Sequence, residues 1–173
     1  MSKDYQTLND LYQDAVGSHA TNRLFGTKKN GAYQWINYAD FGRLTDDFRG
    51  GLAETGVERA DTVAIISNNR TEWAVAAYAT YGLGAKFCPM YEAQLAKEWK
   101  FIIEDSGARV LLVANQEIYE KTLPFLDDID TLERVIFFDG PEEHEDSYAQ
   151  ALKRGNANPA PIAEVDRDDR DEN

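Results

Sequence analysis

The sequence lacks most of the features by which a small protein announces its chemistry. Its single cysteine, Cys88, cannot form an internal disulfide. It sits in an apolar run, which suits a buried thiol better than a nucleophile. There is no G-x-x-x-x-G-K-[ST] loop and no G-x-G-x-x-G. The two histidines, His19 and His144, have no cysteine, histidine or carboxylate set around them at metal-ligand spacing, and "EEHED" reads as a solvated charge run. Ser67 and Ser106 show no base and orienting group in sequence, as a serine nucleophile requires. Positive charge is scarce: 18 Lys and Arg stand against 31 Asp and Glu, a formal net charge of −13. That argues against nucleic acid and anionic membrane surfaces as partners, although a local cleft could still hold an anionic cofactor. Long hydrophobic runs are missing too. The longest weakly polar stretch, Trp73 to Ala85, falls well short of the roughly 20 residues that span a bilayer. The opening "MSKDYQTLND" lacks the layout of a signal peptide. The expectation is a cytoplasmic protein with no transmembrane segment.

What is present is a globular composition, 43% hydrophobic and 12% aromatic over 173 residues, enough for one domain. From Thr7 to His19 a helix is predicted, with Leu8, Leu11, Tyr12 and Ala15 on its apolar face. "RLFG" and "YQWINY" form a hairpin around Asn30-Gly31. Asn37 caps the next helix with Asp40 as its box partner, and Phe41, Leu44, Phe48 and Leu52 make its buried stripe. A strand from Thr62 to Ser67 leads into a helix from Arg70 to Leu83, capped by Asn69 with Glu72 as reciprocal partner. Gly82-Leu83-Gly84 reads as the stop of that helix. A strand at Lys86 to Cys88 ends at Pro89, and Leu95, Trp99, Ile102 and Ile103 line the helix after it. "RVLLVA" and "RVIFFD" are buried strands flanking a helix from Gln116 to Leu126 that Pro124 bends or shortens. This alternation predicts an α/β fold: a doubly wound, mostly parallel sheet with flanking helices. "DGPEEHEDS" is a surface loop and "SYAQALKRG" one short helix. The domain covers residues 1–153, and 154–173 is an extended or disordered acidic tail.

Ligands of open parallel sheets bind beyond the C-terminal strand ends. That rule places Asn68, Asn69 and Arg70 after one strand and Tyr91, between Met90 and Glu92, after the next. These are candidates for a cleft rim, and helix capping and loop packing account for the same residues.

The segment from Tyr38 to Ala114, with "SNNRTEW", "YGLGA", "PMY" and "IIEDSGARVLLVA" in order, closely resembles the N-terminal portion of AMP-forming acyl-CoA synthetases. The long-chain fatty-acid branch of these adenylate-forming ligases fits best, and the resemblance covers most of Tyr5 to Asp169. It implies a parent reaction in which Mg-ATP activates a fatty acid as acyl-AMP, followed by transfer to CoA. ATP, Mg²⁺ and CoA are thus implied for the complete family enzyme, and no cofactor is expected for this chain alone. The family's Ser/Thr/Gly-rich phosphate loop usually begins shortly after a segment like "PAPIAEVDRDD", and no such loop follows here. Its later magnesium and ribose contacts and its catalytic lysine have no matching positions, so no catalytic, cofactor-binding or metal residue is assigned. The resemblance therefore implies a partial, catalytically incomplete ligase with uncovered apolar faces or strand edges, inviting self-association or the missing C-terminal part as partner. The alternative is a non-catalytic binding or regulatory module that keeps the fold and binds a partner subunit or a CoA-like ligand. A small flavodoxin-like nucleotide binder rests on the strand–helix alternation alone.

Overall fold

The computed structural model describes residues 4–164. Four strands, β3 (Thr62–Ile66), β4 (Lys86–Met90), β5 (Ala108–Val113) and β6 (Arg134–Phe137), form one parallel sheet in the order β4-β3-β5-β6. Side chains alternate across a strand. Val63, Ile65, Val110, Leu112 and Ile136 therefore enter one core, and Ala64, Ile66, Leu111, Val113, Val135 and Phe137 the other. The first face is covered by α1 (Leu8–Ser18), α2 (Tyr38–Glu54), α3 (Thr71–Gly82) and α7 (Tyr148–Ala157). The second is covered by α4 (Ala96–Asp105), α5 (Gln116–Thr122) and α6 (Phe125–Asp128). The unbroken apolar runs are thus buried on both sides, and the α/β class read from the alternation is the one that forms.

The strand order reverses once. The chain moves outward from β3 to β4 through α3, then crosses back past β3 to β5 through α4. Right-handed crossovers require these two helices to lie on opposite faces. The loops leaving the neighbouring strands β3 and β5 lead to α3 on the first face and α5 on the second, so they diverge and create the crevice typical of a switch in strand order,.

Several local signals act as the sequence suggests. Strands β1 (Arg23–Lys29) and β2 (Ala32–Asn37) pair antiparallel, and Asn30 and Gly31 both take positive φ, 51° and 83°. That is the requirement of a type I′ turn. At the start of α2, Asn37 Oδ1 accepts from the Asp40 amide at 2.7 Å while the Asp40 carboxylate accepts from the Asn37 amide at 3.4 Å. Thr7 and Asp10 build the same box on α1. Pro124 separates α5 from α6.

Other expectations need correction. Leu8 and Leu11 do not form the buried face of α1: they are exposed, while Asn9 and Tyr12 are buried. Tyr12 stacks on Tyr78 at 5.1 Å, and Asn9 Nδ2 donates to the Tyr81 carbonyl at 3.0 Å, so contact with α3 sets the rotation of α1. Strand β4 does not stop at Pro89 but includes it. The Lys86 amide and the Met90 carbonyl bond toward β3, so by alternation Pro89 lies on the open side, where no ladder amide is needed. The opposite edge is closed, because the Phe137 amide donates to the Asp146 carbonyl at 3.0 Å.

Helix α7 continues to Ala157, past the boundary drawn at residue 153. It packs on α2 backbone to backbone. A Cβ on Gly50 would stand 2.6 Å from the Gly155 carbonyl, and one on Gly155 would run into the Asp47 carbonyl. Residues 158–164 then cross α2 and α3. Arg49 Nε donates to the Ala160 carbonyl at 2.9 Å, and the Ala163 amide donates to the Gly82 carbonyl at 2.7 Å at the end of α3. The rest of the expected tail, 165–173, lies outside the described residues.

Gly155→Ala should lower the thermal unfolding midpoint by roughly 3–10 °C, because the clash is with backbone that cannot rotate away. Gly17→Ala, on α1 where an added Cβ meets open space, should instead gain up to about 1 kcal/mol. Equal losses for the two variants would show that the contact between α2 and α7 is not specifically glycine-dependent. A second outcome concerns alkaline pH. Burial and then the nearby Asp46 push the Tyr12 phenol up to about 12, and burial followed by the bond to Asp146 does the same to Tyr119. The fold favours the neutral phenol, so this stability is complete below pH 10 and is lost as pH rises toward 12. Denaturant midpoints should fall across that window, and less steeply in Tyr12→Phe.

Candidate functional site

Strand β3 delivers the chain to the crevice through Ser67, Asn68, Asn69 and Arg70. The sequence pattern makes Asn69 the expected cap of α3, and it does not serve as one. Arg70 is the N-cap residue, extended at φ −153° and ψ 168°, and no side chain caps the helix. Glu72 does not serve as the reciprocal box partner, because its carboxylate accepts from Arg70 Nε at 2.7 Å. The far end of the same guanidinium grips Asp139 with two bonds, Nη2 to Oδ1 at 2.8 Å and Nη1 to Oδ2 at 3.2 Å. Nη1 also reaches the Ala114 carbonyl at 3.4 Å, and the group lies 5.4 Å from the centroid of the Phe138 ring. One side chain from the end of β3 therefore joins the ends of β5 and β6. Partial burial works against its charge, but the bonds to Asp139 and Glu72 outweigh burial and raise its pKa. It is a fixed cation with its carboxylates already in place.

This arrangement does not fit Mg-ATP. A polyphosphate needs unengaged donors, and the cation in the crevice is shared between two carboxylates that would repel it. Among the described residues no group of three or more His, Cys, Asp or Glu side chains could hold a metal ion. The "EEHED" loop is pinned to the fold instead. Asp146 accepts from Tyr119 Oη at 2.8 Å and Arg134 Nε at 2.9 Å, and its amide donates to His144 Nδ1 at 3.1 Å.

The remaining rim candidates face the other way. The Asn68 amide donates to Glu92 Oε1 at 2.8 Å, which ties the loop after β3 to the loop after β4. Tyr91 holds that second loop through its backbone. Its amide donates to Gln94 Oε1 and its carbonyl accepts from Trp99 Nε1, both at 2.9 Å, while the residue as a whole is 77% exposed. Arg70 thus serves the β5–β6 side and Asn68 with Tyr91 the β4 side, so the four do not converge on one point.

Asn69 and Arg70 do share a groove that the sequence did not reveal. Strand β1 lies against the start of α3, and between them is a space of about 610 Å³ lined by Phe25, Gly26, Thr27, Lys28, Asn69, Arg70, Thr71, Trp73 and Ala74. Its size is that of a small-molecule site. The ionisable groups lining it, Lys28 and Arg70, are both cations. Its lining places no base beside a nucleophile,. Its signal in sequence was weak, since only the pairing of a hairpin with a distant helix brings Phe25 and Lys28 to Trp73.

Arg70→Ala should cost about 1–3 kcal/mol, because it strands two carboxylates beside each other. Asn69→Ala should cost less than about 0.5 kcal/mol, whereas Asn37→Ala, which removes a working cap, should cost about 1 kcal/mol. Denaturant unfolding of the three variants gives the ranking, and a loss at Asn69 equal to that at Asn37 would restore Asn69 as a cap.

Comparison with known proteins assigns the chain to a family. The family model of the AMP-binding enzymes matches residues 13–170. The long-chain-fatty-acid–CoA ligase ACSBG1 of Rattus norvegicus is 25% identical over 135 residues, covering 78% of this chain and 19% of that protein. The peroxisomal long chain acyl-CoA synthetase 7 of Arabidopsis thaliana is 26% identical over 143 residues, covering 80% and 20%. The chain thus spans about a fifth of the length of these relatives. A long-chain-fatty-acid-CoA ligase structure from Archaeoglobus fulgidus superposes with a TM-score of 0.78 at 18% identity, over 96% of this chain and 33% of that one. The anthranilate CoA ligase AuaEII, solved with anthranoyl-AMP, gives the same TM-score at 18% identity over 98% and 31%. Both structures share the fold of the sheet and its two helical layers. With the family model covering nearly all of its length, the chain belongs to the family of AMP-binding enzymes.

Proposed function

We propose that this chain is the N-terminal α/β scaffold of a long-chain fatty-acid–CoA ligase and that its 173 residues alone do not activate an acid. The parent reaction forms acyl-AMP and pyrophosphate from a fatty acid and Mg-ATP, then passes the acyl group to the CoA thiol. The observation that carries the proposal is the closed crevice. Arg70, Asp139 and Glu72 satisfy one another where an open α/β sheet would otherwise receive a phosphate. The long-chain branch is supported by the names of the rat and Arabidopsis relatives. ATP, Mg²⁺ and CoA would then be handled by groups outside these residues, in a cytoplasmic setting.

A second reading, a non-catalytic module that binds a CoA-like ligand or a partner subunit, is favoured by the groove beside Lys28. Pyrophosphate-exchange and acyl-adenylate assays with Mg-ATP and a long-chain acid should give no product, and acyl-AMP made by the pure chain would overturn the first reading. Thermal unfolding separates the second. A ligand present at a hundred times its Kd adds about 2.7 kcal/mol, a shift of roughly 5–10 °C. Mg-ATP should produce none, and a shift with CoA would favour the binding module.

A further inference from the structure

The cations of this acidic chain are unevenly placed. From residue 15 to residue 39 there is no Asp or Glu, yet Arg23, Lys28 and Lys29 fall within this stretch. Among the described residues none of the three is in an ion pair, whereas the other described arginines have oxygen acceptors. Arg43, Arg49, Arg70, Arg109 and Arg134 bind carboxylates, and Arg59 and Arg154 donate to backbone carbonyls. Arg23 instead lies over the Trp35 ring, 5.6 Å from its centroid.

The hairpin also presents its aromatics outward. Gly26 pairs with Trp35 and Lys28 with Tyr33, so by strand alternation these four residues share one face,. Trp35 is 47% exposed and Tyr33 61% exposed, with their rings 5.8 Å apart. The indole lies directly on Gly26, where a Cβ would come within 2.9 Å of it. Residues from Thr27 to Trp35 are exposed on both faces of the hairpin, which makes it a projecting wing. Amphipathic rings flanked by Lys and Arg favour the headgroup layer of a bilayer.

We propose that the outer face of this hairpin, Arg23, Lys28, Tyr33 and Trp35 with Lys29 at the tip, docks on an anionic phospholipid surface. Charge complementarity selects an anionic partner, and the exposed, paired aromatics select a lipid interface. The net charge of −13 sets the orientation of approach. At physiological salt, charges more than about 8 Å from the headgroups are largely screened, so the wing can bind while distant carboxylates stay outside the interaction. The docking is independent of the ligase reading and requires no catalysis.

The test mixes the 173-residue chain with phosphatidylcholine–phosphatidylserine vesicles, and with phosphatidylcholine vesicles alone, at low and physiological salt. Co-sedimentation and tryptophan emission are read together. The expected result is salt-sensitive partition onto the anionic vesicles with a blue shift. Trp35→Phe should keep the partition and lose most of the shift. The double variant Lys28→Glu/Lys29→Glu should bind about tenfold more weakly or worse while unfolding at the unchanged temperature. No partition, equal partition onto the neutral vesicles, or undiminished binding by the double variant overturns the proposal. Binding of a single-stranded oligonucleotide without vesicle binding also overturns it, as does self-association abolished by the double variant without vesicle binding. Either result would give the face to that partner.

Discussion

The structure depends on the single reversal of strand order at β3. Because α3 leaves β3 on one face and α5 leaves β5 on the other, these neighbouring strands have following loops that diverge. That geometry leaves a gap at the strand ends, where the Ala114 carbonyl, Glu72 and Asp139 converge on a cation. Arg70 supplies it. Its guanidinium planarity matters, since one flat group can meet Asp139 with two bonds on one side and Glu72 with Nε on the other. A lysine could neutralise the same site but could not hold three elements at fixed angles. The start of α3, the end of β5 and the loop after β6 are set relative to one another by this side chain.

From there the second constraint follows. Asp139 opens the loop that carries the chain round to α7, and α7 must then sit on α2. Glycines at positions 50, 51 and 155 let the two backbones approach more closely than any side chain would allow. Phe48 meets Tyr148 at 4.9 Å between ring centroids, and Phe138 meets Tyr148 at 5.5 Å, so the close approach also completes the aromatic core. The segment after α7 closes the assembly by accepting from Arg49 and donating to the end of α3. Residues whose composition suggests the beginning of a tail are part of the domain's fabric.

How legible this was in the sequence depended on how local each signal is. The alternating strands, the Asn30-Gly31 turn and the Asn37–Asp40 box are decided within a few residues, and they could be read. The rotation of α1 could not, because Leu8 and Leu11 make as good a stripe as Tyr12 and Val16 until Tyr78 of another helix is present. The closeness of α2 and α7 was equally hidden. Gly50-Gly51 in a helix reads only as a weakness in helix propensity, and its reason is Gly155, a hundred residues later. The cleft-rim residues were legible by position and illegible by role. Strand-end logic found Arg70, but only the fold places Asp139 opposite it.

The misplaced cap shows what decides between such roles. Asn69 followed by Glu72 three residues on has the form of a capping box, and in an isolated peptide the asparagine would take the cap. In the folded chain Glu72 has a stronger claimant, because a charge-assisted bond to a guanidinium outweighs a bond to a neutral amide. Once Arg70 is held between Glu72 and Asp139, its backbone is extended and it becomes the cap position by geometry, leaving the first turn of α3 without a side-chain acceptor. That first turn meets the closed crevice through Glu72 and borders the groove beside Lys28 through Thr71, Trp73 and Ala74. The same electrostatic choice that shuts the strand-end site therefore leaves the opposite side of the helix start open, and it separates the residues that hold this domain together from those free to meet something else.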